Sequence, residues 1–177
     1  MAAHARTRVP DPVRIDPRIV GPVDINAVAR EAIRLAQLEG EASIALRASF
    51  FSPLPLVEGS PEQLVRAICN LLVNARKSLE GVDGGAIEIE TEPDGELVAV
   101  RILDNGPGMS EGLLEQIFDP FASEKKSDDE LDSEEPKAGF GLSDSWKILR
   151  DHSGTLTVRS RPGEGTCFVA LIPAQRS

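Results

Sequence analysis

The run Leu64-Val-Arg-Ala-Ile-Cys-Asn70-Leu-Leu-Val-Asn74-Ala-Arg-Lys77 reads as one helix with two unlike faces. Leu64, Ile68, Leu71, Leu72, Ala75 and Leu79 recur at helical spacing and form an apolar stripe. Asn70, Asn74 and Lys77 fall at i, i+4 and i+7 and line up on the opposite face. An asparagine carbonyl oxygen can ligate Mg²⁺ and a lysine can neutralise phosphate charge, so this row suits a metal-bound polyphosphate. On the helix alone a solvated polar face is the simpler reading, and the rest of the chain has to decide.

With 177 residues the chain has the size of one domain with a real core, and 41% hydrophobic residues exclude wholesale disorder. No apolar run approaches the roughly 18 residues of a membrane span, so no membrane contact is expected. The segment Met1–Arg8 is basic but lacks the apolar stretch of a secretory signal. A net charge of −10 argues against a nucleic-acid surface, which needs a concentrated basic footprint. Cys69 and Cys167 lack ligand-like spacing and read as two buried free thiols in a reducing cytoplasm. His4 and His152 are the only histidines, and no Cys/His cluster suggests zinc. Between Glu124 and Lys137 seven acids face three lysines, a net −4 with one large apolar residue, Leu131; an exposed loop is expected there.

Residues 1–22 hold four prolines and no periodicity, and read as an arm or linker. A capped helix starts at Asp24, and Ile44–Phe50 alternates as a strand. Ser60-Pro61-Glu62-Gln63 opens the quoted helix, with Ser60 as N-cap and Gln63 closing a capping box. Ala86–Glu92 and Leu97–Leu103 form a hairpin through Pro93-Asp94-Gly95. A short helix spans Ser110–Ile117, a longer one Ser143 to about Asp151, and strands Thr155–Ser160 and Thr166–Ile172 close the chain. The order helix, strand, helix, hairpin, helix, hairpin predicts an α+β two-layer sandwich, with a mixed, largely antiparallel sheet covered on one face by helices.

Four further segments carry chemistry. Asp104 precedes Gly106 and Gly108, whose missing Cβ atoms let the backbone approach a flat ligand, while the carboxylate can accept from an exocyclic amine. Gly139-Phe-Gly141-Leu142 lies at a helix start, where free N–H groups and the helix dipole favour an anion. Lys125, just upstream, can meet phosphate. Gly163-Glu-Gly165-Thr166 fits a hairpin turn, with the Thr166 hydroxyl nearby. Phe118 and Phe121 flank Pro120 and read as core plugs.

In this order the segments resemble the ATP-binding catalytic domain of sensor histidine kinases, a member of the Bergerat-fold group with gyrase B, Hsp90 and MutL. Asn70-x3-Asn74-x2-Lys77 looks like the N box, Asp104-x-Gly106-x-Gly108 the G1 box, Phe118-Asp-Pro-Phe121 the F box and Gly139-Phe-Gly141-Leu142 the G2 box. The resemblance covers residues 23–175, with 122–138 as an ATP lid. It implies ATP and Mg²⁺ as cofactors. Asn74 would hold the metal, supported by Asn70, with Lys77 on phosphate. Asp104 would read the adenine amino group, and Gly106 and Gly108 would shape the base pocket. Gly139, Gly141 and Leu142 would cradle phosphates. ATP-hydrolysing members carry a catalytic Glu four residues before the metal-binding Asn. Here that position is Asn70, which cannot act as a general base, and phosphoryl transfer is favoured over hydrolysis.

The implied partners are a histidine-bearing dimerisation domain and a response regulator. About 22 residues precede the resemblance, too few for a helical hairpin of that kind, so the expectation is a piece of a longer kinase or a stand-alone module acting in trans. The family's usual Thr-Thr-Lys and third glycine are missing from the lid, and acidic residues are inserted. A degenerate, non-catalytic nucleotide-binding or docking module and an anti-sigma-factor-type serine kinase therefore remain alternatives.

Overall fold

A computed structural model of the protein describes residues 21–40, 43–117 and 140–175. The main sheet has five strands: β2 (Ile44–Phe50), β4 (Gly85–Asp94), β5 (Leu97–Asp104), β6 (Thr155–Arg161) and β7 (Gly165–Pro173), in the order β2-β4-β5-β7-β6. β2 runs parallel to β4 and every other pairing is antiparallel. The helices α1 (Ile25–Leu35), α2 (Pro61–Ser78) and α4 (Phe140–Asp151) share one hydrophobic core with the inward-facing Ile87, Ile89, Val98, Val100, Ile102, Phe168, Ala170 and Ile172. A short helix, α3 (Glu111–Gln116), follows β5. The expected α+β sandwich is present.

The apolar stripe read from the sequence is the buried face of α2. Leu64, Ile68, Leu71 and Leu72 are fully buried, and Ala75 and Leu79 nearly so. α1 is capped by Asp24, whose carboxylate accepts from the Asn26 amide at 2.8 Å. Asn26 itself is buried and bonds two neighbours, donating to the Phe51 carbonyl at 2.8 Å and accepting from the Thr91 hydroxyl at 2.6 Å. It fixes α1 against the sheet while satisfying its own polar atoms.

The structure departs from the sequence reading at several points. A two-stranded sheet, β1 (Pro22–Val23) with β3 (Val57–Glu58), had no alternating signal because each strand is only two residues long. Pro93 and Asp94 belong to the β4–β5 ladder, and the turn is Gly95-Glu96, with Gly95 at φ 62°. Pro93 is tolerated because the β2–β4 pairing ends at Thr91, so on that side of β4 no ladder bond calls for its missing N–H. α4 begins at Phe140 rather than Ser143, so Gly141 and Leu142 lie inside its first turn. Cys69 and Cys167 are free and partly rather than fully buried, and desolvation pushes both thiols above their usual range. Residues 1–20, Phe118–Phe121 and the expected lid 122–138 with Lys125, as well as Gly139, lie outside the described residues.

The capping box is replaced by a longer-range contact. Ser60 Oγ accepts from the Gln63 amide at 3.4 Å, but the Ser60 amide donates to His152 Nε2 at 3.1 Å. His152 Nδ1 lies 2.8 Å from the Ile148 carbonyl, an acceptor, so Nδ1 carries the proton and Nε2 offers its lone pair. The neutral ring thus joins the end of α4 to the start of α2. A Cβ on Gly59 would sit 2.4 Å from the His152 ring, which explains the glycine. His152→Ala leaves the Ser60 amide unpaired and opens a cavity, and should lower stability by about 2–4 kcal/mol in chemical denaturation.

Candidate functional site

Four segments meet around the C-terminal half of α2: the end of β5, the turn after it, the β6–β7 hairpin and the first turn of α4. The register of β5 with β7 pairs Asp104 with Thr166. Val98, Val100, Ile102 and Asp104 alternate onto the core face, so the carboxylate takes the last inward position of β5 and is 8% exposed. It accepts from the Gly106 amide at 2.9 Å, and the Ser78 hydroxyl and the Thr166 amide also face it. Burial nevertheless dominates these hydrogen bonds and pushes the Asp104 carboxyl above the usual carboxylate range.

The glycines around Asp104 answer to the chain's own atoms. A Cβ at Gly106 would lie 2.8 Å from both Asp104 Oδ1 and Ser78 Oγ. Gly108 has φ 69°, and a Cβ there would lie 1.9 Å from the Arg161 carbonyl oxygen. At Gly165, with φ 81°, a Cβ would strike the Asp104 carbonyl oxygen at 1.9 Å. The turn after β5 is fastened to the β6–β7 hairpin, with the Gly163 amide donating to Pro107 O at 2.7 Å and the Met109 amide to Ser160 Oγ at 2.8 Å. The Thr166 hydroxyl lies 2.9 Å from Ser160 Oγ, inside that hairpin. Asn105, which the sequence reading passed over, braces the other side: Oδ1 accepts from the Ala86 amide at 2.7 Å and Nδ2 donates to Gly84 O at 3.0 Å.

The polar row of α2 is half-buried along its length. Asn74 buries its Nδ2 with no acceptor among the described residues, so part of the amide's bonding capacity is unused by the protein. Asn70 turns its Nδ2 toward α4, 3.3 Å from Gly141 O and 3.3 Å from Asp144 Oδ2. Lys77 lies in the last turn of α2, beside Arg76. A Cβ on Gly141 would sit 3.5 Å from the Asn70 Cβ, an ordinary van der Waals distance, so α4 passes close to α2 here. Leu142 buries its side chain in the core, leaving only its backbone to any ligand. Ser145 reinforces the contact, its hydroxyl 2.9 Å from Ala67 O and 2.8 Å from Gly141 O. Ser78, Asp144 and Ser145 carried no sequence signal, because their partners lie on other elements.

A cation at this site fits one donor chemistry. The described residues hold no group of three or more His, Cys, Asp or Glu side chains, so an all-protein metal cage is absent among them. The carboxamide oxygen of Asn74 is a ligand type that Mg²⁺ takes, while its unpartnered Nδ2 and the Lys77 ammonium suit phosphate oxygens, so the row fits a Mg²⁺ that takes most of its ligands from phosphate and water.

For Asp104 the sign of the pH dependence follows from its raised pKa. The folded state holds the proton more tightly than the unfolded chain. The group's stability contribution is therefore fully present below the unfolded pKa and is lost as pH rises through the higher folded value. Asp104→Asn should abolish that component, so that the ligand-free variant equals or exceeds wild-type stability at neutral pH and loses the advantage in acid. Urea denaturation across the two ranges checks this.

Comparison with known proteins agrees with the fold. Residues 59–176 match the family described as histidine kinase-, DNA gyrase B- and HSP90-like ATPase. Sporulation kinase A of Bacillus subtilis is 31% identical over 159 residues, 84% of this chain and 24% of that protein. Sensor protein KdpD of Escherichia coli is 35% identical over 141 residues, 80% of this chain and 15% of that protein. The chain thus spans a quarter or less of these two curated relatives. Among solved structures, the catalytic domain of histidine kinase ThkA superposes with TM-score 0.70 at 25% identity, covering 89% of this chain and 98% of that one. ThkA has also been solved in complex with the response regulator TrrA. This chain belongs to the family of histidine kinase-, DNA gyrase B- and HSP90-like ATPases.

Proposed function

We propose that residues 23–175 form the catalytic unit of a protein-histidine kinase, which binds Mg-ATP between α2, the end of β5 and the start of α4. The observation that carries this reading is the buried, unpartnered Nδ2 donor of Asn74, which suits a phosphate oxygen, set in line with Asn70 and Lys77 on the helix whose Ser78 hydroxyl faces the buried Asp104 carboxylate. Asn74 holds Mg²⁺, supported by Asn70. Lys77 meets phosphate charge. Asp104 accepts from the adenine amino group, in a base pocket shaped by Gly106 and Gly108. Gly141 and Leu142 present backbone amides to phosphate in the first turn of α4, and Thr166 acts through its amide on Asp104; Gly139 and Lys125, outside the described residues, are assigned to the same phosphates on sequence alone.

Bound Mg-ATP supplies the phosphoryl group and an in-line leaving group. The residues of this chain position it and neutralise charge, with little covalent chemistry of their own. The nucleophile is a histidine on a dimerisation domain, and a response regulator is the further partner. The asparagine at position 70 removes the general base that water activation needs, which favours transfer over hydrolysis. Among the described residues no helix is long and apolar enough to cross a membrane.

At millimolar Mg-ADP, a Kd of about 10–100 μM should stabilise the fold by about 1–3 kcal/mol, read as a rise in melting temperature. Asn74→Ala should lose most of that rise. With a supplied histidine domain and labelled ATP, wild-type protein should yield an acid-labile, base-stable phosphoamidate. The absence of any shift with every adenine nucleotide tested would falsify the nucleotide reading. Binding without transfer to any histidine domain would leave a docking module.

A further inference from the structure

Two polar contacts between α2 and α4 converge on one carboxylate. Asp144 Oδ2 lies 2.7 Å from Arg66 Nε and 3.3 Å from Asn70 Nδ2. The same Nδ2 lies 3.3 Å from the Gly141 carbonyl oxygen. Both partners of Nδ2 can only accept. Turning the amide over would set Oδ1 against a carboxylate oxygen and a carbonyl oxygen, with no proton among the three. The amide of Asn70 is therefore held with its nitrogen on α4, and its oxygen is the atom left for a ligand. Asp144 is the stronger anchor, since a hydrogen bond to a charged acceptor is roughly twice as strong as one to a neutral carbonyl.

Arg66 completes the arrangement. It sits one turn before Asn70 on α2, and its guanidinium neutralises the Asp144 carboxylate. Without it, a bare negative charge would stand close to the first turn of α4, where phosphate is expected. The Arg66 side chain is 67% exposed and that of Asp144 27%. A pair this open adds little to stability, so its consequence is orientation.

We propose that Asp144, charge-balanced by Arg66, is a positioning residue that fixes the Asn70 amide with its oxygen toward the metal-bound phosphates and ties the start of α4 to α2. The proposal rests on reading the Asn70, Asn74 and Lys77 row as one wall of the nucleotide site. Asp144 itself touches neither metal nor nucleotide.

The test compares ADP binding with and without Mg²⁺ by calorimetry, alongside NMR of the Asn70 side-chain NH₂. Asp144→Leu should weaken Mg-ADP binding about tenfold, as expected when a group that orients a metal-site ligand is lost. Mg²⁺-free ADP binding should change by less than about twofold, a difference of under half a kcal/mol. The Asn70 NH₂ resonances should move to the positions of a free amide. Asp144→Asn keeps an oxygen acceptor in place and should restore both readouts. Arg66→Ala should weaken nucleotide binding several-fold at low salt, the effect fading as ionic strength rises. An Asp144→Leu protein that binds Mg-ADP like wild type overturns the proposal, as does equal loss with and without Mg²⁺, which marks a packing role. If Asp144→Leu does not fold, wild-type affinity in Arg66→Ala at low salt overturns it. Wild-type protein that binds no adenine nucleotide sinks the nucleotide reading instead, while the NMR comparison still reports whether Asp144 holds the Asn70 amide.

Discussion

Burial of the α2 stripe sets the rotation of that helix, and the site inherits it. Leu64, Ile68, Leu71 and Leu72 are each fully buried against the sheet and its neighbouring helices. Losing one such side chain from the core costs about 2–5 kcal/mol, whereas one net hydrogen bond contributes about 1 kcal/mol. No arrangement of the polar row can outweigh the core and turn the helix. Asn70, Asn74 and Lys77 therefore face where they do because the leucines face inward. The contact with α4 then refines the row, through the Asn70 amide and the Ser145 hydroxyl.

At β5 the same logic runs through strand register. Its inward set ends on a carboxylate, and a slip by one residue would send Val98, Val100 and Ile102 to the open face of the sheet. The apolar residues thus force Asp104 inward, although desolvation opposes the ionised form. The Gly106 and Thr166 amides and the Ser78 hydroxyl offset part of that cost. The close approaches at Gly106, Gly108 and Gly165 keep the surrounding backbone near enough to do so. A buried acceptor with its geometry fixed in advance suits recognition of an amine, because little ordering remains to be done on binding.

Periodicity made the main elements legible. α1, α2 and the strands β2, β4, β5, β6 and β7 all follow apolar spacing set by the core, and Asp24 and Ser60 were readable as N-caps from residue type alone. What could not be read depends on partners distant in sequence. The Ser60 amide finds His152, 92 residues away, so the local capping box gives way to a tertiary bond. Gly106 and Gly108 read as clearance for a flat ligand, whereas the close neighbours in the structure are the chain's own Asp104, Ser78 and Arg161. β1 and β3 are too short to show a period. The motif order pointed to the right family, while the groups that orient the motif residues, Asp144 above all, were invisible because they belong to no motif.

Position 70 joins these strands of argument. In members of the group that hydrolyse ATP, the resemblance places a glutamate there. In this chain the side chain at 70 donates to a carbonyl and to a carboxylate that Arg66 holds in place. A glutamate would bring a second negative charge against Asp144 and an acceptor against Gly141 O, with no donor to relieve either. One arginine cannot balance two carboxylates at hydrogen-bonding distance. Restoring a general base would therefore require changing Asp144 together with Asn70. The asparagine is built into the α2–α4 contact, so an amide rather than a carboxylate at position 70 is favoured by two helices rather than by one residue.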